Sequence, residues 1–286
     1  HYYLALTYIK LGEKEKATNF LSSYLEYVTQ TKEWVGSMDK EYIAKCEELL
    51  NELKGTISGT QVTEEKKHFV KATEYYKKAM FNEAMAELDR VIEINPNFAL
   101  AYGLRGTIYG DTGNHDKALT DFNKAIEIDP TQESFYCLRG LVYYHNGDFD
   151  KAISDCNKAI EINPNYIEAY DTRGLAQSFK DNYDQAISDF SKIIEIDPMY
   201  ASAYNNRGFA YDKKGNYDQA ISDCNKAIEI NPDDAAAYDT RAVAYFHKQE
   251  YNKSWEDVHK VEALGKGDKI DREFLEKLKR ASGREK

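Results

Sequence analysis

Long apolar runs are missing from this 286-residue chain. None approaches eighteen residues, which excludes a membrane-spanning helix. Positive charge is also short. Lys and Arg number 38 against 49 Asp and Glu, a formal net charge of −11. That balance argues against a nucleic-acid or anionic-membrane partner and permits basic or mixed-charge protein partners. Cysteine is sparse: Cys46, Cys137, Cys156 and Cys224 are not spaced as zinc ligands. Unpaired thiols favour a reducing compartment, so a cytoplasmic location is expected. There is no His-Glu-x-x-His, no Gly-x-Ser-x-Gly and no Gly-x-Gly-x-x-Gly. Asp111-Thr112-Gly113 has the letters of an aspartic-protease signature, but it falls where a repeat turns, with no second copy in a comparable setting. The expectation is a chain that is not an enzyme and that carries no metal and no cofactor. No secretory signal is visible.

Proline is scarce, and its placement is what organises the sequence. The five prolines are Pro96, Pro130, Pro164, Pro198 and Pro232, each 34 residues after the last. A strict period of that length means one two-helix unit repeated and stacked, because a single unit cannot bury its apolar face. The other positions return in step. An aromatic opens each first helix at Tyr102, Tyr136, Tyr170, Tyr204 and Tyr238. A small residue follows at Gly106, Gly140, Gly174, Gly208 and Ala242. Turns fall at Gly113-Asn114, Gly147-Asp148, Asp181-Asn182 and Gly215-Asn216. Second helices carry Ala118, Ala152, Ala186 and Ala220 and end in Asn/Asp-Pro, where the residue before proline is pushed out of the α region. Apolar residues at helical spacing make both helices amphipathic.

This set of positions resembles the tetratricopeptide repeat family over about three-quarters of the chain, from roughly Thr63 to Gly267. The resemblance implies an all-α fold: a right-handed α-solenoid, or superhelix, of antiparallel helix-pair repeats with a C-terminal capping helix. Three segments are expected. Residues 1–60 form a partial unit plus a bridging helix near Met38 to Leu53, residues 61–267 form an array of six units, and residues 268–286 form the cap helix and a frayed tail. In that register His1 stands inside a first helix, which suggests a chain beginning mid-unit. The first unit is weaker, with His68 at the aromatic site, and the last degenerates at Leu264-Gly265.

One charged pair recurs at a spacing of sixteen: Arg105/Asp121, Arg139/Asp155, Arg173/Asp189, Arg207/Asp223 and Arg241/Asp257, with Lys71/Glu87 in the first unit. The favoured reading is a structural ion pair joining helices. A ladder of arginines for acidic ligands is disfavoured, because each arginine brings its own carboxylate. Cys156 and Cys224 stand where Phe122 and Phe190 stand in alternate units and read as small buried hydrophobes.

In the family that this sequence resembles, first helices line a concave face that holds extended peptides or partner helices. The resemblance therefore nominates Leu104, Leu138, Leu141, Tyr144, Asp171, Asn205, Asn206, Asp212 and Asp239 as binding residues, among neighbours such as Gly103, Cys137, Thr172 and Phe209. Their nearer half is apolar and their farther half acidic and amidic, so a partner with an apolar and a basic segment would fit. Relatives that grip chaperone C-terminal tails use basic clamps. One frame here holds Phe69, Thr73, Leu104, Ser134 and Leu138, and no other frame supplies the positive charge either, so such tails are not expected partners. The expected function is a non-catalytic protein-interaction scaffold binding a protein or peptide. A regulatory arm of a larger enzyme and a self-assembling homo-oligomer are the alternatives.

Overall fold

The computed structural model describes residues 63–283. The partial unit and bridging helix expected over 1–60 lie outside the described residues, as does Cys46. Thirteen helices and no strand occur among the described residues. They come in pairs: α1 (Glu64–Lys77) with α2 (Phe81–Ile94), α3 (Ala99–Asp111) with α4 (His115–Ile128), and α5 (Glu133–His145) with α6 (Phe149–Ile162). Then follow α7 (Ile167–Phe179) with α8 (Tyr183–Ile196), α9 (Ala201–Lys213) with α10 (Tyr217–Ile230), and α11 (Ala235–His247) with α12 (Tyr251–Ala263). A 3-10 turn (Gly267–Lys269) leads into the last helix, α13 (Arg272–Ser282). None is long and apolar enough to cross a membrane. The fold is an all-α helical repeat. It divides into two compact units, one through Leu138 and one from Arg139.

Each turn follows from its residues. The chain reverses between paired helices through one left-handed residue, at Gly113, Gly147 and Gly215, with φ between +77° and +80°. The same site is filled by Ala79, Asp181 and Gln249 at φ of +54°, +59° and +60°, a conformation that strains a residue bearing a Cβ. Each second helix then ends at the Asn or Asp before proline. Asn95, Asp129, Asn163, Asp197 and Asn231 each take a backbone N–H two residues on into their side-chain oxygen, at 2.9–3.2 Å. The side chain thus replaces the helical bond that proline cannot continue.

Packing between paired helices alternates by size. Gly106 lies against the ring of Phe122, and Gly174 against that of Phe190; a Cβ on Gly174 would sit 2.8 Å from that ring. Gly140 and Gly208 instead face the sulfurs of Cys156 and Cys224. Both cysteines are fully buried and behave as small hydrophobes, with burial pushing the Cys156 thiol up to about 12. The alanines at 84, 118, 152, 186 and 220 have no exposed surface, because two backbones meet there.

The recurring Arg–Asp pair is a clamp on three helices. Within each pair, Arg Nε and Nη2 donate to the two carboxylate oxygens at 2.6–3.0 Å: Arg105 to Asp121, Arg139 to Asp155, Arg173 to Asp189, Arg207 to Asp223 and Arg241 to Asp257. The third nitrogen, Nη1, donates to the second helix of the preceding pair. Arg105 reaches Asp89, Arg173 reaches Asn157, Arg207 reaches Ser191 and Arg241 reaches Asn225. Four of these guanidinium groups also lie 5.3–5.7 Å from the tyrosine ring in the first turn of their own helix. The first pair departs from the pattern. Glu87 joins His68, and not Lys71 as its spacing suggested.

At the C-terminal end, Ile270, Phe274 and Leu278 are buried against Tyr238, Ala242, Val258 and Val261. Asp271 caps α13 by accepting from Glu273 N at 2.8 Å. This helix lies within the segment expected to hold the cap. Asp268 belongs to the 3-10 turn, and the helical bonds continue to Ser282.

Candidate functional site

Spacing along the first helices of the second unit produces two rows. On α7, Asp171 stands one turn before Leu175. On α9, Asn205 stands one turn before Phe209. On α11, Asp239 stands one turn before Val243. Residues four apart share a helix face, and the three pairs recur at the 34-residue period. Because α9 sits beside both α7 and α11, a polar row and an apolar row run across adjacent helices.

The apolar row opens into a cleft of about 130 Å³ lined by Leu175, Ser178, Phe179, Phe190, Asn206 and Phe209. Phe179 is 64% exposed and Phe209 is 40% exposed. Phe179 stacks on Phe149 at 5.2 Å and meets Tyr144 edge-on at 5.6 Å, which fixes its ring at the rim. Burial raises the Tyr144 hydroxyl, with the Asp171 carboxylate adding to the effect.

The polar row is short of partners. Asn206 Nδ2 donates to Asp171 Oδ1 at 3.4 Å. Burial raises the Asp171 carboxyl and that hydrogen bond opposes the rise, while Glu168 adds to it. Asn205 Oδ1 and Asp239 Oδ1 are both buried and lack any hydrogen-bond partner. Asp239 is raised by burial and by the charge of Asp271. Such atoms are rare in folded proteins, because an unsatisfied buried acceptor costs about 1–3 kcal/mol.

The remaining nominated residues divide. Asp212 is nearly enclosed and joined to His247 Nδ1 at 2.8 Å, so its carboxylate already has a partner. Leu104 is half-buried against the core of the first unit, and Leu138 and Leu141 are half-buried. Their neighbours Gly103, Cys137 and Thr172 are buried, so they present little to a ligand. Asp111, of the protease-like triplet, accepts from the Tyr76 hydroxyl at 2.9 Å beside the turn. No group of three His, Cys, Asp or Glu side chains suited to a metal occurs among the described residues.

Sequence reasoning missed Phe179 and the pairing of Asp212 with His247. A signal for Phe179 was present. Its repeat site holds Asp111, His145, Lys213 and His247 elsewhere, so a phenylalanine there is the one apolar exception.

Comparison with known proteins agrees with this architecture. Sequence models of the tetratricopeptide repeat match residues 134–166, 201–234 and 68–98, and one described as TPR repeat matches 106–147 and 180–215. No curated protein sequence matches the chain. Among solved structures, a tetratricopeptide repeat protein from Parabacteroides merdae ATCC 43184 is 27% identical, with a TM-score of 0.60, over 70% of this chain and 79% of that one. The MamA protein is 27% identical, with a TM-score of 0.53, over 60% of this chain and 93% of that one. YrrB, described as a TPR protein with an unusual peptide-binding site, is 27% identical, with a TM-score of 0.51, over 59% of this chain and 88% of that one.

Proposed function

We propose that this chain, a member of the tetratricopeptide repeat family, is a non-catalytic scaffold that binds a peptide or helix of a partner protein on the first helices of its second unit. One observation carries the reading. Two buried side-chain oxygens without partners lie on Asn205 of α9 and on Asp239 of the adjoining α11, and α9 also lines an apolar cleft whose rim exposes Phe179 and Phe209. A core would satisfy the first and cover the second. A bound segment does both at once, giving hydrogen-bond donors to the polar row and a side chain to the cleft. The likeness to YrrB supports a peptide ligand without identifying it. A reducing, cytoplasmic setting suits the free buried thiols of Cys156 and Cys224.

The test is a pull-down with the full chain, run beside Asn205→Ala/Asn206→Ala. Proteins retained by the first and lost by the second are purified and titrated. At least one should bind directly, with affinity at least tenfold weaker for the double variant. If every direct binder holds both forms equally, the scaffold does not use this face.

A further inference from the structure

The chemistry of the two rows specifies the ligand more closely than a generic peptide. Deepening the reading above, and resting on it, we infer that the second unit takes a segment in which a bulky apolar side chain neighbours a lysine or arginine. The apolar group fills the cleft between Phe179 and Phe209. The cation seats against Asp239 and Asn205, with Asp171 next along the row.

Three observations converge on a cation. First, the two atoms without partners are both acceptors, and the Asp239 carboxylate has no donor form when ionised. Second, the charges that act on this row are negative. Glu168 bears on Asp171, and Asp271 bears on Asp239. Third, the arginines on these helices are committed elsewhere. Arg173, Arg207 and Arg241, on the same three helices, are clamped to Asp189, Asp223 and Asp257. His247 holds Asp212, and Lys213 lies 5.1 Å from the Phe209 ring at the edge of the cleft. A desolvated carboxylate gains most from a charged donor, since charge-assisted hydrogen bonds are about twice as strong as neutral ones. Backbone amides of a bound segment would satisfy Asn205 but leave the charge of Asp239 uncompensated.

The apolar half is equally selective. Phe179, Phe209 and Leu175 present a ring, a ring and a branched alkyl group around about 130 Å³, room for one large side chain and not for a run of them. The first unit offers no counterpart to the polar row, for Gly103 and Cys137 stand at its register positions. Specificity for the basic group therefore resides in residues 171–247.

A random twelve-residue peptide display library, panned on the full chain and counter-selected on Phe209→Ser, tests this directly. Enriched sequences should place Lys or Arg within a few residues of Phe, Trp, Leu or Met. A synthetic enriched peptide is then titrated by fluorescence anisotropy against wild type, Asp239→Asn and Glu229→Gln. Glu229 lies on α10, exposed and paired with Lys226, so its replacement removes the same charge away from the face. Asp239→Asn should weaken binding at least fivefold and Glu229→Gln less than twofold. Acidic or uncharged winners, or equal weakening by the two variants, would overturn the cation and leave the scaffold standing. Winners that match a stretch of this chain would replace a foreign partner with a second copy. An absence of any peptide sensitive to Phe209→Ser would remove both this inference and the function beneath it.

Discussion

Replacing Asp189 with Asn probes the clamp that repeats through the array, and its expected effect follows from the local geometry. Arg173 Nε donates to Asp189 Oδ2 at 3.0 Å and Nη2 to Oδ1 at 2.6 Å, while Nη1 goes to Asn157 at 2.5 Å. The Asp189 side chain is 6% exposed and the Arg173 side chain 20%. An asparagine keeps the shape but puts an amide N–H where one guanidinium N–H points. One charge-assisted bond becomes a donor facing a donor, and the arginine loses its counter-charge in a site that is only partly open to water. Breaking a buried pair from one side costs about 3–5 kcal/mol. Arg173 retains Asn157, its contact with the Tyr170 ring and a partly open side, which places the expected loss at the low end, about 3 kcal/mol. For a folded region of this size that corresponds to roughly 6–12 °C in Tm. Repeat arrays need not unfold in one step, so the assay is urea denaturation followed by circular dichroism, together with amide hydrogen exchange across α7 and α8. Protection should fall first in those two helices. A double replacement, Arg173→Leu/Asp189→Leu, should recover much of the loss, since no charge is then left alone. A single-variant loss below about 1 kcal/mol, the range of exposed pairs, would refute the clamp as a buried interaction.

Gly174→Ala should destabilise by about 1–3 kcal/mol, because the new Cβ meets the fully buried Phe190 ring at 2.8 Å; Gly140→Ala, facing the smaller Cys156, should cost less in the same melts, and equal losses would contradict the size alternation. Ala79→Gly and Gln249→Gly relieve left-handed residues at φ of +54° and +60° and should each stabilise by about 0.5–1 kcal/mol in chemical denaturation. Asp239→Asn should raise Tm at pH 7 while weakening ligand binding. Burial and Asp271 hold that carboxyl above its ordinary value, so the folded state favours the protonated form, and the stability it contributes is full below the unfolded value of about 3.9 and lost as pH rises through the folded value. The gain from the variant should accordingly fade as pH falls toward 4, and a gain that is the same at pH 4 and pH 7 would contradict the assignment.

How far the site could be read in advance depended on which interactions lie within one period. Asp171, Asn205 and Asp239 share a repeat position, so their alignment as a row was visible in the spacing. The fate of Asp212 was not, for its partner His247 lies 35 residues on, in the next unit, and the pairing depends on how two first helices meet. Glu87 illustrates the same limit. Its position matched an arginine partner everywhere else, but with Lys71 at that site it turned to His68 instead. Gly103 and Cys137 were nominated by register as surface and are buried; at Gly103, Phe135 reaches the position a side chain would occupy.

The sequence by itself determined the period, the helix pairs, their turns and their terminations. Each of these is set within a few residues by proline geometry, left-handed turn sites and amphipathic spacing, and the sixteen-residue Arg–Asp pairing follows from the same register. Tertiary structure alone decided that the third arginine nitrogen crosses to the preceding pair and that Phe179 stands exposed beside a cleft. It also decided that the oxygens of Asn205 and Asp239 are buried without partners. Those outcomes depend on the distance between neighbouring helices, and identical periodic letters leave that distance to the size of whatever side chains happen to face across the gap.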